Sequence, residues 1–168
     1  MQFRLAEKQD LRQIISMYKK VVENMNANGI EIWDESYPFS FFESDIQNKQ
    51  LYILEKDNRI VSAVAMCNKH IGENVGKWKN PNAHAFYLSR FAVNPEYLKQ
   101  GIGSLMVSKV KGIAKELGAE YLRLFVVIIN KRAIQFYEKN GFSKVEGILN
   151  TYLDDGSVLY EFGYEMKL

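Results

Sequence analysis

One segment restricts the possible folds of this chain more than any other. An apolar, strand-like run from Phe86 to Val93 passes through Leu98 to Met106, LKQGIGSLM, into a helix-like run ending near Leu117. A strand that feeds a helix through a short turn is half of a crossover unit, which places the chain among α/β sheets. Gly101 and Gly103 let the backbone approach a ligand closely, and the first amides of the new helix have no partner within it. The helix dipole also favours negative charge there, so the turn reads as a phosphate site. A Walker loop requires Gly-Lys-Ser/Thr after a longer glycine loop, and a dinucleotide fingerprint requires a third glycine where Met106 stands. Neither fits.

The remaining elements follow from periodicity and punctuation. Phe3 to Ala6 predicts a first strand, and Leu11, Ile14, Ile15, Tyr18, Val22 and Met25 predict a long amphipathic helix ending at Asn28 and Gly29. GIEIWDESYP reads as a loop, and Pro38 suits the first turn of a second helix running to Asn48. Leu51 to Glu55 and Ile60 to Met66 form a hairpin around Asp57 and Asn58, and Lys69 to Asn82 is loop-like. Ala83 to Val93 is a strand, and the helix after the glycine turn carries Met106, Val110, Ile113 and Leu117 on one face up to Gly118. Tyr121 to Ile128 is a strand, Lys131 to Asn140 a helix closed by Gly141, and Lys144 to Leu153 with Val158 to Met166 a closing hairpin. The order is β-α-α-β-β-β-α-β-α-β-β: one α/β (α+β) domain over residues 1–168, with a mixed, mostly antiparallel twisted sheet of about seven strands and about four helices.

Two segments carry a family resemblance. FAVNPEYLKQGIGSLM resembles the acetyl-CoA signature of the GCN5-related N-acetyltransferases, the GNAT superfamily, and NKRAIQFYEKNGF resembles that family's second signature. The family's loop usually opens with Gln or Arg where this chain has Leu98, but the loop works chiefly through backbone amides. The resemblance implies the GNAT fold and acetyl transfer from acetyl-CoA to a primary amine of a small molecule or peptide. It also implies cofactor contacts from Phe91, Ala92 and Val93, from Lys99, Gln100, Gly101, Ile102, Gly103 and Ser104, and from Asn130, Ala133 and Phe136. Tyr137 is implied to give a proton to the departing CoA thiolate. A phenol of pKa near 10 can protonate a thiolate whose acid titrates at about 8.5. Tyr137 equally reads as a packed aromatic, and Arg132 and Lys139 as either phosphate contacts or solvated charges.

The acceptor amine arrives as an ammonium ion and must lose a proton before it attacks. Some members of the family place a glutamate on the strand before the loop, but ungapped counting from Gly101 puts Tyr87 there, on the expected substrate side. Glu31, Asp34 and Glu35 in the loop between the first two helices remain as proton acceptors, with Glu73 and His84 also open. Glu31 and Glu35 are the expected catalytic carboxylates. Trp33, Asp34 and Tyr37 combine aromatic faces with negative charge, which suits a cationic amine.

Composition sets the outer bounds. Twenty-two basic and twenty acidic residues leave a net charge of +2, which gives no nucleic-acid surface. MQFRLAEKQD lacks a signal-peptide core, no run is apolar enough for a membrane helix, and the single Cys67 makes no internal disulfide, so a cytoplasmic location is the expectation. Cys67 and His70 have C-x-x-H spacing without a second pair, so no metal is expected and Cys67 reads as a small buried strand residue. The aromatic closing hairpin makes a homodimer possible. Three readings stay open beside acetyl transfer to an amine: another acyl-CoA, a protein amino terminus as acceptor, and a silent CoA-binding module of the same fold.

Overall fold

The computed structural model describes residues 1–168. Its elements are β1 (Gln2–Leu5), α1 (Leu11–Ala27), α2 (Phe42–Gln47), β2 (Leu51–Lys56), β3 (Arg59–Cys67), β4 (Ala85–Val93), α3 (Ile102–Glu116), β5 (Tyr121–Val127), α4 (Lys131–Lys139), β6 (Ser143–Tyr152) and β7 (Val158–Lys167). This is the element order the sequence predicts. The seven strands form one mixed sheet in the order β1-β2-β3-β4-β5-β7-β6. β4 and β5 run parallel, as the crossover through α3 requires, while the pairs β1/β2, β2/β3, β5/β7 and β6/β7 are antiparallel. No helix is long and apolar enough to cross a membrane.

The chain divides into two compact units, residues 1–66 with 89–110 and residues 67–88 with 111–168. In the first, α1 buries Ile14, Met17, Tyr18 and Val21. That stripe has helical spacing but is rotated from the predicted one, because Met17 and Val21 go inward while Ile15, Val22 and Met25 stay half-exposed. The predicted helix from Pro38 to Asn48 is a 3-10 turn, Phe39–Phe41, followed by the shorter α2, which buries Phe42 and Asp45. Its aromatic residues serve ring contacts, Phe39 with Phe42 and Phe41 with Tyr37, more than helical periodicity. The β2–β3 turn has the left-handed pair expected of a tight hairpin, Asp57 at φ 50° and Asn58 at φ 59°. Cys67 ends β3 half-exposed, contrary to the buried position expected for it, because the chain leaves the sheet there.

In the second unit, Trp78, Tyr87 and Val145 form a buried cluster with Phe125 against it. Arg123, 2% exposed, lies over the Trp78 ring at 4.8 Å and donates to the Asn80 carbonyl at 2.6 Å. The end of α4 is a Schellman closure: Phe142 N–H donates to the Tyr137 carbonyl and Gly141 N–H to the Glu138 carbonyl, with Gly141 at φ 91°. Phe142 folds back onto Tyr137, ring centroids 5.6 Å apart, as the sequence predicts.

Candidate active site

In the first unit the glycine turn is built as its sequence demands. Lys99 and Gly101 take left-handed backbone, φ 61° and 79°, and the first closed turn of α3 is the bond from Leu105 N–H to the Gly101 carbonyl. The amides of Ile102, Gly103 and Ser104 therefore precede the hydrogen-bonded ladder of the helix and lie within its positive end. Lys99, Gln100 and Ser104 are exposed beside them, whereas Ile102 anchors the turn at 5% exposure and Gly103 is buried. Upstream, Asn94 caps the 3-10 turn Pro95–Tyr97 by accepting from Glu96 N–H at 3.1 Å. The loop thus has a fixed start. Leu98, the departure from the family pattern, is 44% exposed, so its side chain is not needed for packing.

The strand that leads into this turn carries a backbone irregularity. Arg90 takes φ 53° within β4. Its carbonyl accepts from the Tyr18 hydroxyl, and two residues on the Ala92 carbonyl accepts from the Ser62 hydroxyl at 2.7 Å. The Arg90 guanidinium grips the buried Asp45 carboxylate with two bonds, Nε to Oδ2 at 2.7 Å and Nη2 to Oδ1 at 2.8 Å. Asp45 Oδ1 also accepts from Gln50 Nε2 at 2.7 Å. Phe91 and Val93 are half-buried and Ala92 is buried, so the segment expected to hold pantetheine through its backbone packs its side chains as an ordinary strand.

The loop between α1 and α2 is an aromatic train. Trp33 stacks on Tyr18 at 5.8 Å, Tyr37 meets Trp33 edge-on at 6.1 Å, and Phe41 meets Tyr37 at 5.5 Å. Asp34 Oδ1 accepts from the amides of Ser36 and Tyr37, both at 2.8 Å, which folds the loop back on itself. Glu31, Asp34 and Glu35 are exposed, and Trp33 and Tyr37 are half-buried. Of the predicted residues of this loop, Trp33, Asp34 and Tyr37 are in contact with one another's segment, and Glu31 and Glu35 are exposed beside them in sequence.

In the second unit, Asn130 caps α4: its side-chain oxygen accepts from Ala133 N–H at 3.1 Å, leaving its NH2 end as a donor. Ala133 and Phe136 are half-buried. Tyr137, 9% exposed, stands edge-on to both Phe136 and Phe142, so the ring is fixed by packing. Arg132 and Lys139 are exposed. Tyr87 is 4% exposed within the Trp78 cluster, stacks with His70 at 5.6 Å and lies 3.5 Å from Arg123 Nη1, which donates to its hydroxyl. His84 Nδ1 pairs with the Gly118 carbonyl at 3.1 Å. Glu73 is half-buried and uses its carbonyl to accept from Trp78 Nε1 at 2.7 Å. His70 Nδ1 accepts from Gly72 N–H at 3.0 Å, and no group of three or more His, Cys, Asp and Glu residues could hold a metal ion.

No sequence signal marks Arg90, Asp45 or Glu161. The first two are joined across 45 positions. Glu161 sits in a run, VLYEFGYEMK, where a carboxylate between aromatics reads as a solvated face, yet it is half-buried. Burial pushes its carboxyl above the usual range, and the Thr151 hydroxyl, donating at 2.7 Å, offsets part of that shift.

Comparison with known proteins agrees with this architecture. The family model described as "Acetyltransferase (GNAT) family" matches residues 11–142. A thialysine N-epsilon-acetyltransferase of Bos taurus is 44% identical over 64 residues, 38% of this chain and 36% of that protein. An N-alpha-acetyltransferase of Sulfolobus acidocaldarius is 27% identical over 169 residues, 95% of this chain and 89% of that protein. The first curated relatives are matched over only about a third of their own length, between 32% and 39%. Among solved structures, a PaiA N-acetyltransferase from Thermoplasma acidophilum, in complex with coenzyme A, superposes with a TM-score of 0.71 at 20% identity, covering 99% of this chain and 98% of that one. The likeness to that structure establishes the fold. With the family model spanning most of its length, the chain belongs to the acetyltransferase (GNAT) family.

Proposed function

We propose that residues 1–168 form one N-acetyltransferase domain that moves the acetyl group of acetyl-CoA to a primary amine of a small molecule or peptide by direct attack. The observation that carries this reading is the glycine turn. Left-handed Lys99 and Gly101 set three amides, Ile102 to Ser104, at the positive end of α3, and a pyrophosphate is the anion such a cradle suits. That the PaiA neighbour was solved with coenzyme A supports the same ligand here.

The other residues take roles that follow from their chemistry. Ala92 turns its carbonyl to Ser62, so in an alternating strand Phe91 and Val93 turn their polar backbone to the opposite edge. An extended pantetheine arm would pair there as an added strand, with an amide facing the thioester carbonyl as it gains negative charge. Asn130 and the small Ala133 would meet the cofactor at the start of α4, with Phe136 packing beside it. Tyr137, its ring fixed by Phe136 and Phe142, would give its phenolic proton to the leaving thiolate. Trp33 and Tyr37, with Glu31, Asp34 and Glu35, would attract the cationic acceptor through ring faces and charge. Tyr87 would contribute a wall on the acceptor side.

Thiol release from acetyl-CoA, followed with polyamines, aminoglycosides, amino acids and short peptides, tests the proposal. Release that depends on one class of amine is expected. Tight acetyl-CoA binding with no release on any amine would instead identify a silent binding module.

A further inference from the structure

Two buried hydroxyls converge on one short stretch of β4. The Tyr18 hydroxyl donates to the Arg90 carbonyl, and the Ser62 hydroxyl donates to the Ala92 carbonyl at 2.7 Å. Both residues are 0% exposed. Ser62 stands in β3 among Ile60, Val61, Ala63 and Val64, all buried, where an alanine would pack without a polar group to satisfy. Tyr18 is held by its ring, against Phe42 at 4.6 Å and Trp33 at 5.8 Å. Between the two bonds the strand takes its left-handed step at Arg90, φ 53°, a conformation that a residue with a side chain keeps only when its surroundings impose it. The Asp45 carboxylate grips the Arg90 side chain, and Asn94 N–H returns to the Val61 carbonyl at 2.9 Å. The backbone is thus fixed at Arg90, Ala92 and Asn94.

A trans peptide is planar, with its C=O and N–H on opposite sides. Holding the carbonyls of Arg90 and Ala92 therefore also sets the direction of the amides at the other ends of those peptides, Phe91 and Val93. These are the residues whose backbone the acetyl-transfer reading gives to the pantetheine arm and the thioester, and the β4–β5 register ends before them, at Leu88↔Leu124. We propose that Tyr18 and Ser62 are positioning residues for acetyl transfer: their hydroxyls hold two peptide planes of β4 in the orientation that polarises the thioester carbonyl. The proposal rests on the acetyl-transfer reading. Each side chain acts through the backbone it holds. An amide aimed in advance needs no reorganisation as charge grows on the carbonyl oxygen, whereas an amide that must turn toward it does.

The test uses the full chain with acetyl-CoA carrying 13C at the acetyl carbonyl, so that isotope-edited infrared spectra read the bond that the amides polarise. In the wild-type protein the bound carbonyl should stretch at lower frequency than in free acetyl-CoA. Ser62→Ala and Tyr18→Phe should each move the bound band back toward the free value and lower kcat at saturating acetyl-CoA about tenfold. Outright loss of such a donor costs about 100-fold or more, and here the donor stays but loses its aim. Tyr18→Phe keeps the ring and its packing, so it tests the role even where Ser62→Ala fails to fold. A folded variant with the wild-type carbonyl stretch and the wild-type kcat overturns the positioning role, whatever its melting temperature, and so does a wild-type bound band at the free frequency. A wild-type protein that binds acetyl-CoA but turns over no amine overturns the acetyl-transfer reading and this role with it.

Discussion

Asp45 and Arg90 meet as a two-pronged ion pair, 2.7 and 2.8 Å, with their side chains 1% and 8% exposed. The pair ties α2 to the point where β4 takes its left-handed step, so it sets the backbone immediately before Phe91 to Val93. Removing one partner strands a buried charge. Asp45→Ala should cost about 3 kcal/mol of stability, read from urea unfolding, and should weaken acetyl-CoA binding as well. A loss below about 1 kcal/mol would mean that the pair is not what fixes the strand.

Gly101 has open space where a Cβ would go but a φ of 79°. Gly101→Ala should therefore cost about 1 kcal/mol through backbone strain alone, and by distorting the amide cradle it should weaken acetyl-CoA about tenfold by calorimetry. Gly29 has the same open surroundings at φ 72° and is no part of the proposed cradle, so Gly29→Ala should show the stability cost and leave affinity unchanged.

Tyr137 is held by rings, and its hydroxyl is the atom that the proposed acid role uses. Tyr137→Phe should keep the packing and the acetyl-CoA affinity while turnover falls at least about 100-fold. Unchanged turnover would remove it from the acid role and leave it as a packed aromatic.

Arg4 binds both Asp10 and Glu55, at 2.7 Å each, and its hydrogen bond to Asp10 holds that carboxyl below the usual carboxylate range. A carboxyl lowered by folding stabilises the protein fully above its unfolded value of 3.8 and loses that contribution as pH falls through the lower folded value. Acid unfolding should thus steepen below about pH 4. Asp10→Asn should flatten that limb and lower the stability at pH 7, both measurable as urea midpoints against pH.

Much of this molecule is legible in the chain because periodicity and turn chemistry are local. Asp57 and Asn58 announce their hairpin, and Gly141 with Phe142 announces a helix closure that the hydrogen bonds then show in full. Gly101 predicts its own left-handed backbone, but Arg90 does not, since an arginine takes that conformation only when tertiary contacts with Asp45 and Tyr18 hold it there. The α2 region is shorter than its predicted bounds because its aromatic residues are spaced for ring contacts rather than for a helical face. Glu161 was hidden for a related reason. Whether a strand carboxylate faces water depends on what packs over the sheet, which no local spacing encodes.

Acetyl transfer by direct attack is tested most directly by a single-turnover reaction with acetyl-labelled acetyl-CoA, following the label in protein and amine together. The label is expected to pass to the acceptor amine while the protein never carries it. Label that accumulates on the protein, or that never reaches any amine of the panel while acetyl-CoA stays bound, would contradict it.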